Sequence, residues 1–421
     1  MFVIYNEKNQ KVPIKIWLKS KNDIEESCLT QALEVSNHPC IFHHLSLMPD
    51  THMGYALPIG GVVALKGAVV PYYAGVDIGC GMCFVRTDTH IDTIKKSQIK
   101  SIIDLTKKTV PTGFSHHARS SKEYRNYKEW IKNWIEEKME EVLFSRLKKI
   151  LGIENKEELI NYLTESLGTL GQGNHFCEIQ GNQDGFVCLM IHSGSRNLGY
   201  KIANFHTKLA QKLNEKWHSA IPTKDSAFLP TDTQEGKDYL KDMNFALEYA
   251  RENRNRIMNC FKSAVSKVCK NVEFLEEINI HHNFIAIENH FGKNVWVHRK
   301  GATQAKKGQL GIIPGSMGTS SYIVRGLGNP ESYYSCSHGA GRKMGRKEAS
   351  RKLTKKSCDK AMKGIIFDGF KEIKLRGKKA QKITDLGEAP QAYKDIDEVM
   401  ENQKELVEIV QKLTPVGVLK G

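Results

Sequence analysis

The alternation of apolar and polar residues along the chain predicts both β-strands and α-helices. Apolar runs at 60–70 and 186–191 are typical of buried strands. Longer stretches at 120–151 and 238–272 place their apolar residues at the spacing of an amphipathic helix, and a further helix is predicted at 395–413. The periodicity therefore predicts a mixture of helices and strands, and nothing more specific about their arrangement.

The sequence also indicates one domain rather than several. Its 421 residues contain no linker rich in proline, glycine or serine, no low-complexity tract and no internal repeat, so we expect one large domain with insertions. Near the end of the chain, Val416, Val418 and Leu419 alternate as in a buried strand. We therefore expect a packed terminus rather than a frayed one.

Composition indicates the compartment in which the protein works and the kind of partner that it binds. There is no basic segment followed by an apolar one at the start of the chain, and nowhere do 18 apolar residues run together, so we expect a soluble, unexported protein. Ten cysteines spread through a long chain favour a reducing cytoplasm. A formal net charge of +15 favours a polyanionic partner, because lysine and arginine release counterions when they meet phosphates.

One side of the stretch 120–151 is basic, which suits either an RNA-binding face or an ordinary solvated helix surface. Its basic residues are Lys128, Lys132, Arg146, Lys148 and Lys149. The sequence GxxxxGK[ST] is missing, so a nucleotide would not be held by a Walker P-loop.

Five residues of metal-binding type lie on four segments of the chain: Asp77 and Cys80 share one glycine-rich turn, and His175, His192 and His282 lie on three other segments. One carboxylate, one thiolate and three imidazoles are enough for two metal ions that share the sulfur. Mixed sites of this kind with open positions suit catalysis rather than structural zinc. The residue types alone leave a simpler interpretation open, in which glycine-rich turns carry an ordinary acid, a buried free cysteine and core histidines.

Two further segments carry possible chemistry. His338 precedes Gly339 and is followed by Arg342, so its imidazole could attack a phosphoryl centre while the arginine stabilises the developing charge; a core histidine in a turn is the alternative. Asp50 and His52 stand beside a glycine, where they could orient metal ligands through hydrogen bonds or form an Asx turn with a surface histidine.

Taken together, the short motifs of this chain resemble those of the RtcB-type RNA ligases. The motifs are Pro49-Asp50, Val76-Asp77-Ile78-Gly79-Cys80-Gly81, Gly173-Asn174-His175, His192-Ser193-Gly194-Ser195-Arg196, His282-Asn283, Pro314-Gly315-Ser316-Met317-Gly318, Ser337-His338-Gly339-Ala340-Gly341-Arg342 and Lys420-Gly421. The resemblance covers nearly the whole chain. It implies a single mixed α/β (α+β) domain over residues 1–421, with the active site in a central cleft and a helical peripheral insertion at about 120–151.

The same resemblance implies a role for each site residue. Asp77 and His175 are expected to bind one Mn²⁺ ion, His192 and His282 a second, and Cys80 both. His338 is expected to receive GMP from GTP. The residues expected to hold the guanylate are Asn174, His175, Phe176, Cys177, Glu178, His282, Asn283, Pro314, Gly315, Ser316, Met317, Ser321, His338, Gly339, Ala340, Gly341, Tyr393 and Lys420, with Glu178 and Lys420 reading the guanine edge. Asp50 and Arg196 match family positions near the metals and the RNA phosphate.

The activity implied by the resemblance is GTP-dependent joining of RNA 3′-phosphate or 2′,3′-cyclic phosphate ends to 5′-hydroxyl ends, in RNA repair or tRNA splicing. It would pass through a histidine–GMP intermediate and an RNA-(3′)pp(5′)G intermediate. A cytoplasmic monomer without a membrane partner is expected, and the need for an activating partner of the archease type is open. Two alternatives are a dinuclear phosphoesterase that acts on RNA ends without His338 or GTP, and a non-catalytic RNA-binding protein that would tolerate loss of Cys80.

Overall fold

Two β-sheets with helices packed around them organise the chain. The computed structural model describes residues 1–374 and 382–421. The helices are α1 (Glu26–Val35), α2 (Lys96–Thr109), α3 (Lys122–Lys138), α4 (Glu141–Leu151), α5 (Lys156–Ser166), α6 (Asn197–Lys216), α7 (Gln234–Val268), α8 (Arg346–Lys352), α9 (Lys355–Ala361) and α10 (Ile396–Glu401). The strands are β1 (Phe2–Ile4), β2 (Ile14–Ile16), β3 (Ile41–His52), β4 (Ile59–Leu65), β5 (Ala68–Val69), β6 (Gly81–His90), β7 (Phe176–Asn182), β8 (Phe186–Ser193), β9 (Leu229–Pro230), β10 (Phe274–His281), β11 (Asn283–His290), β12 (Lys293–Lys300), β13 (Ala302–Gln304), β14 (Leu310–Ile313), β15 (Ser321–Gly326), β16 (Ser335–Ser337), β17 (Glu372–Lys374), β18 (Lys382–Thr384) and β19 (Val407–Lys420).

A single residue separates two consecutive strands that belong to different large sheets. The larger sheet has seven antiparallel strands in the order β10-β6-β8-β7-β19-β15-β14, and the smaller has six in the order β1-β2-β3-β4-β12-β11, of which only β2 and β3 run parallel. Strand β10 of the larger sheet ends at His281, and β11 of the smaller sheet begins at Asn283. His282 is therefore the one residue that separates these two strands, which places it at a junction of the two sheets.

Helix α7 connects the two halves of the core. Its first half packs with α3 to α6, through residues such as Tyr239 and Tyr249, and its second half packs on β6 and β8 through Met258 and Phe261. The Thr233 side chain caps the helix by accepting a hydrogen bond from the backbone N–H of Gly236. The predicted helix at 238–272 is thus confirmed, although it begins and ends four residues earlier.

Three other predicted elements agree with the structure in part. The run 60–70 forms two strands, β4 and β5, because the chain turns at Gly67, whose φ is +59°. The stretch 120–151 forms two helices, because Met139 and Glu140 take extended conformations between α3 and α4. The strand at 186–191 is confirmed and extends to Ser193.

The helix predicted at 395–413 is wrong beyond its first turns. Helix α10 ends at Glu401, and residues from Val407 onward form β19, which pairs with β15 on one side and β7 on the other. The apolar residues of this stretch fit a helical as well as a strand pattern, and backbone pairing on both edges decides in favour of the strand. The expectation of a packed terminus is confirmed by the same strand.

The mixed α+β fold expected from the sequence is confirmed. No helix of residues 1–374 or 382–421 is both long and apolar enough to cross a membrane. That helices α3 and α4 are a peripheral insertion remains a prediction.

A buried charge cluster joins three of the helices. Asp242 on α7 is fully buried; it accepts a hydrogen bond from Arg146 of α4 at 2.7 Å and lies 2.7 Å from His206 Nε2 of α6. Arg146 also pairs with Asp238 at 2.9 Å. Arg146 therefore contributes to packing, and its charge is not available to the basic surface expected on the 120–151 stretch. Lys128 pairs with Glu157 at 2.6 Å, which neutralises more of that surface.

We predict that Asp242→Ala lowers the free energy of unfolding by about 3–5 kcal/mol, because it removes the fully buried carboxylate that contacts both Arg146 and His206. Urea denaturation followed by circular dichroism measures the change. Lys241→Ala is the matched control, since Lys241 forms an exposed pair with Glu140 and should cost at most about 1 kcal/mol. Equal effects of the two variants would contradict the prediction.

Candidate active site

Side chains with atoms that can donate an electron pair to a metal ion form a cluster, the donor cluster, at the junction of the two sheets. Cys80 Sγ is 3.2 Å from His192 Nε2 and 3.4 Å from His175 Nε2, and His282 Nε2 is 3.3 Å from His192 Nε2. Asp77 Oδ2 is 3.3 Å from His175 Nε2. The structure thus brings together all five residues that the sequence singled out, and three of them, Cys80, His175 and His192, have ligand atoms close enough to hold one metal ion.

Backbone carbonyls determine how two of the imidazoles face this cluster. His175 Nδ1 lies 2.9 Å from the Leu170 carbonyl, and His192 Nδ1 lies 3.2 Å from the Asn174 carbonyl. A carbonyl can only accept, so each Nδ1 carries the proton and each Nε2 turns a lone pair toward the cluster. Burial lowers the pKa of His192 and of His282 well below the ordinary value, which favours the neutral, metal-binding form.

The donor chemistry fits a divalent cation. Burial raises the pKa of the Cys80 thiol well above its usual value, and a bound cation is the ordinary means by which a buried thiol loses its proton. Asp77 supplies a carboxylate on the side of the cluster that is open to solvent, with its side chain 32 % exposed. Nitrogen, sulfur and oxygen donors with one open side match a catalytic rather than a structural metal site.

Cys83 stands three residues after Cys80, the spacing of a Cys-x-x-Cys pair. Its side chain, however, belongs to the apolar cluster beneath α7 rather than to the donor cluster. Their positions explain the difference, because Cys83 is a residue of β6 whereas Cys80 lies in the turn just before this strand. Of these two cysteines, Cys80 is the one that belongs to the possible metal site.

His338 lies beside the donor cluster with a different kind of partner. Its Nδ1 is 2.6 Å from Asp50 Oδ2, and its backbone N–H donates to the same oxygen at 3.0 Å. The ring centroids of His338 and His282 are 4.8 Å apart. Because the Asp50 carboxylate accepts from Nδ1–H, the lone pair of His338 is on Nε2.

Asp50 is not in the turn that the sequence suggested. It lies in strand β3 and is fully buried, so the Asx-turn interpretation is wrong. The nearby His52 is partly buried and lines the cavity described next, rather than standing on the open surface. In this structure Asp50 orients His338 rather than a metal ligand.

A cavity of about 290 Å³ opens from His338, a volume near the lower end of those that bind small ligands. Thirteen residues expected to hold a guanylate line it: Asn174, Phe176, Glu178, Pro314, Gly315, Ser316, Met317, His338, Gly339, Ala340, Gly341, Tyr393 and Lys420. His52, Ile59, His192, Arg342, Arg346 and Glu388 complete its wall. The cavity therefore joins the donor cluster and His338 to a separate polar end.

Three residues expected to bind the guanylate lie behind the wall. Cys177 packs into the apolar core, as its alternation with Phe176 and Glu178 along β7 requires. Asn283 donates to the Asp77 carbonyl at 3.1 Å and accepts from the Gly301 N–H at 2.7 Å. Ser321 Oγ accepts from the Gly315 N–H at 3.2 Å and so supports the loop that starts at Pro314. In this structure their side chains support the cavity rather than line it.

The polar end of the cavity contains buried groups of opposite charge type. Burial raises the pKa of Glu178 to about 8, while the Gln180 amide donates to its carboxyl group. Burial lowers the pKa of Lys420, whose Nζ lies 3.4 Å from Glu388 Oε2. The carboxyl group of Glu178 and the amine of Lys420 thus both face this end of the cavity.

Glu388 is a residue that the sequence did not reveal. Its carboxylate contacts Arg342 at 3.2 Å, Arg346 at 2.6 Å and Lys420, and it also accepts from the Tyr393 hydroxyl. Burial by itself would raise its pKa, but the three cations lower it to about 2. Only its place on a Gly/Pro-rich turn just before Tyr393 hints at it in the sequence, and such turns are common. The contacts also show that Arg342 is held by Glu388 and Tyr393 at the polar end of the cavity.

A second, wider groove of about 970 Å³ leads to the open side of the donor cluster. Asp77, His175 and Arg196 line it, together with the exposed rings of Phe114 and Tyr200. Arg196 has a positive φ of 59° and is held by hydrogen bonds to Thr169 Oγ1 at 2.8 Å and the Gly113 carbonyl at 3.2 Å. A non-glycine residue kept in this backbone region is typical of functional sites.

The fold and this site define a mixed α+β protein with a buried Cys-His-His group able to hold a metal ion, beside a cavity of small-ligand size. Comparison with known proteins gives the family. The family described as tRNA-splicing ligase RtcB matches residues 31–421. The chain belongs to this RtcB family of RNA ligases.

Several relatives match along nearly their whole length. The RNA-splicing ligase RtcB1 of Escherichia coli strain ATCC 25922 is 36 % identical over 426 residues, covering 98 % of each chain. The RNA-splicing ligase RtcB of Escherichia coli K12 is 35 % identical with the same coverage. The tRNA-splicing ligase RtcB of Pyrobaculum aerophilum is 31 % identical over 98 % of this chain and 95 % of its own.

We predict that Gly194→Ala weakens binding of a divalent metal ion, with Mn²⁺ as the probe, about 10-fold or more, because a Cβ atom there would lie 2.6 Å from both carboxylate oxygens of Asp77 and displace them. Isothermal titration calorimetry on the metal-free protein measures the affinity. Gly345→Ala is the matched control, since a Cβ at Gly345 meets no atom within 4 Å. Wild-type affinity in Gly194→Ala would show that the position of Asp77 does not matter for the metal.

Proposed function

We propose that this protein is a GTP- and manganese-dependent RNA ligase that joins RNA 3′-phosphate or 2′,3′-cyclic phosphate ends to 5′-hydroxyl ends, in RNA repair or tRNA splicing. One observation carries the proposal. His338, oriented by Asp50, lies between the donor cluster and the cavity, so one imidazole can reach both a metal-bound phosphate and a nucleotide. Membership of the RtcB family supports the choice of RNA as substrate.

Two Mn²⁺ ions are proposed as the metals. Asp77 and His175 would hold one, His192 and His282 the other, and the Cys80 thiolate both. When bound, such ions neutralise phosphate charge and align the reacting oxygens. Mn²⁺ suits this donor set because imidazole and carboxylate ligands leave positions free for phosphate.

The cavity would hold the guanylate. The backbone N–H groups of Met317, Gly339, Ala340 and Gly341, on two loops that line the cavity, are suited to phosphate oxygens. The Phe176 ring and Tyr393 would contact the base or ribose, while Glu178 and Lys420 would read the guanine edge. Asn174, at the boundary between the cavity and the groove, is suited to the phosphate near the metals.

The reaction follows from what the RNA end lacks. A 3′-phosphate has no leaving group that a 5′-hydroxyl could displace, so GTP must supply one. His338 Nε2 would attack the α-phosphorus of GTP, forming an N–P bond as the bond to pyrophosphate breaks. Asp50 would accept the hydrogen bond from Nδ1–H, which stabilises the positive charge that the ring gains during attack.

Two transfers would complete the reaction. An oxygen of the RNA 3′-phosphate would attack the α-phosphorus of His338–GMP, which breaks the N–P bond and gives RNA-(3′)pp(5′)G. The 5′-hydroxyl of the second RNA would then attack the phosphorus on the 3′ side, with GMP as the leaving group and loss of the hydroxyl proton. A cyclic phosphate would first add water to give the 3′-phosphate.

The groove lined by Arg196 is proposed to receive the RNA strand that brings the 5′-hydroxyl. The net charge of +15 and the absence of a sequence-reading motif favour contacts to phosphate rather than to bases. The exposed Phe114 and Tyr200 rings offer surfaces for stacking on unpaired bases.

We predict that His338→Ala abolishes a GMP adduct that the wild-type protein forms with GTP and Mn²⁺, because the nucleophilic nitrogen is removed. Intact-protein mass spectrometry detects the adduct, and calorimetry should show that Mn²⁺ still binds. His90→Ala, which removes an exposed histidine outside the site, should keep the adduct. A persistent adduct in His338→Ala would assign the nucleophile to another residue, and a wild-type protein without any adduct would favour the phosphoesterase alternative.

We predict that Lys420→Ala weakens the use of GTP and reduces discrimination against ATP, by about 1–3 kcal/mol if one contact to the base edge is lost. The rate of adduct formation against GTP and ATP concentration measures the effect, with the melting temperature as a check on folding. Lys412→Ala is the matched control on the same strand, because Lys412 is exposed and pairs with Asp397. An unchanged GTP dependence in folded Lys420→Ala would remove this residue from the site.

A further inference from the structure

Two adjacent residues in the middle of α7, Asn253 and Arg254, are both fully buried and polar. The sequence suggested no chemistry for this helix, and no step of the proposed reaction uses either residue. Buried polar side chains are retained only where they are hydrogen-bonded, and a buried charge costs more than a neutral group. What these two side chains contact therefore indicates what they do.

Arg254 contacts three separate segments of the chain. Its Nη1 donates to the Gly79 carbonyl at 2.7 Å and to the Ser193 carbonyl at 3.0 Å. Its Nη2 lies 3.1 Å from His281 Nδ1, and its Nε donates to Asn279 Oδ1 at 2.7 Å. The planar guanidinium group thus joins the turn before β6, the end of β8 and the end of β10.

Asn253 contacts a fourth segment, the loop that follows α5. Its Oδ1 accepts from the backbone N–H groups of Gly168 at 2.8 Å and Thr169 at 3.2 Å. Its Nδ2 donates to Ser193 Oγ and to the Gly194 carbonyl, both at 3.0 Å. One amide therefore holds the loop after α5 against the end of β8.

Three of the residues that these two side chains contact are direct sequence neighbours of a donor of the metal site. Gly79 precedes Cys80 and Ser193 follows His192, while His281 precedes His282. The loop held by Asn253 continues to Leu170, whose carbonyl lies 2.9 Å from His175 Nδ1. The two side chains thus reach segments that carry four of the five donors, without touching any donor atom.

An ion pair does not explain why Arg254 is buried. Within residues 1–374 and 382–421, no carboxylate oxygen lies within 4.0 Å of its guanidinium group. Arg299, equally buried, is paired with Glu288. A cation next to a site for two further cations repels them, so an arginine here weakens metal binding electrostatically. Its contribution must come from the geometry of its hydrogen bonds.

We propose that Asn253 and Arg254 are positioning residues of the metal centre, which hold the Cys80, His175, His192 and His282 segments at the spacing that manganese requires. The inference rests on the proposed function, since it assumes that these donors bind manganese. It assigns to α7 the task of setting the distances between donors that come from far apart in the sequence.

Calorimetric titration of the metal-free protein with Mn²⁺ tests the proposal on Arg254→Lys, Arg254→Gln and Asn253→Ser, with the melting temperature of each metal-free variant measured separately. Lysine keeps the charge but has one nitrogen in place of the three that contact the four partners of Arg254, and glutamine removes the charge as well. We expect all three variants to bind Mn²⁺ about 10- to 100-fold more weakly. Arg299→Lys is the matched control for disturbing a buried arginine, and it should lower the melting temperature while keeping the wild-type affinity.

The outcomes separate the possible roles. Wild-type affinity in Arg254→Lys together with tighter binding in Arg254→Gln would mean that only charge matters and would overturn the proposal. Unchanged affinity in a folded Asn253→Ser protein, or failure of all three variants to fold, would also overturn it, since the pair would then be purely structural. Lack of Mn²⁺ binding by the wild-type protein would instead overturn the proposed metals, and this inference with them.

Discussion

The convergence of imidazole nitrogens on one buried thiol is the constraint on which the rest of the site depends. Sγ of Cys80 has two Nε2 atoms within 3.4 Å, and a third Nε2, that of His282, is 3.3 Å from one of them. In the absence of a cation, a proton can bridge only one pair of these atoms at a time, and the thiol keeps its proton because it is buried. A divalent cation can accept lone pairs from several of them at once. The arrangement is thus better suited to a bound metal than to a metal-free core.

Such a cluster needs a rigid frame, and the topology supplies it. His192 is the penultimate residue of β8, an interior strand of the seven-stranded sheet, while His282 occupies the single position between β10 and β11. A shift of one residue in the register of either sheet would turn these side chains to another face. Strand β19 is hydrogen-bonded to β15 on one edge and to β7 on the other. Its pairing with β7 fixes the position of Lys420 at the end of the strand. The two ends of the cavity are therefore built from the same sheet.

The sequence predicted the chemistry of the site better than its architecture. Asp77, Cys80 and the three histidines could be identified because their residue types are those that bind metals, a property that does not depend on distant neighbours. The helix expected at 395–413 failed because the choice between helix and strand is made there by backbone pairing with β15 and β7, which local periodicity does not contain. Glu388, Asn253 and Arg254 escaped notice for the same reason. Each acquires its importance from partners that lie far away along the chain.

The same physical reasoning distinguishes the proposed nucleophile from the proposed ligands. His175, His192, His282 and His338 form a chain of imidazoles whose successive ring centroids are 4.8–5.1 Å apart. His175 and His192 face backbone carbonyls through Nδ1, whereas His338 faces the buried carboxylate of Asp50 at 2.6 Å. A carbonyl fixes the tautomer without adding charge, which suits a neutral metal ligand. A carboxylate also stabilises the positive charge that a ring nitrogen gains as it attacks phosphorus, so the partner at Nδ1 separates the two roles among side chains of one type.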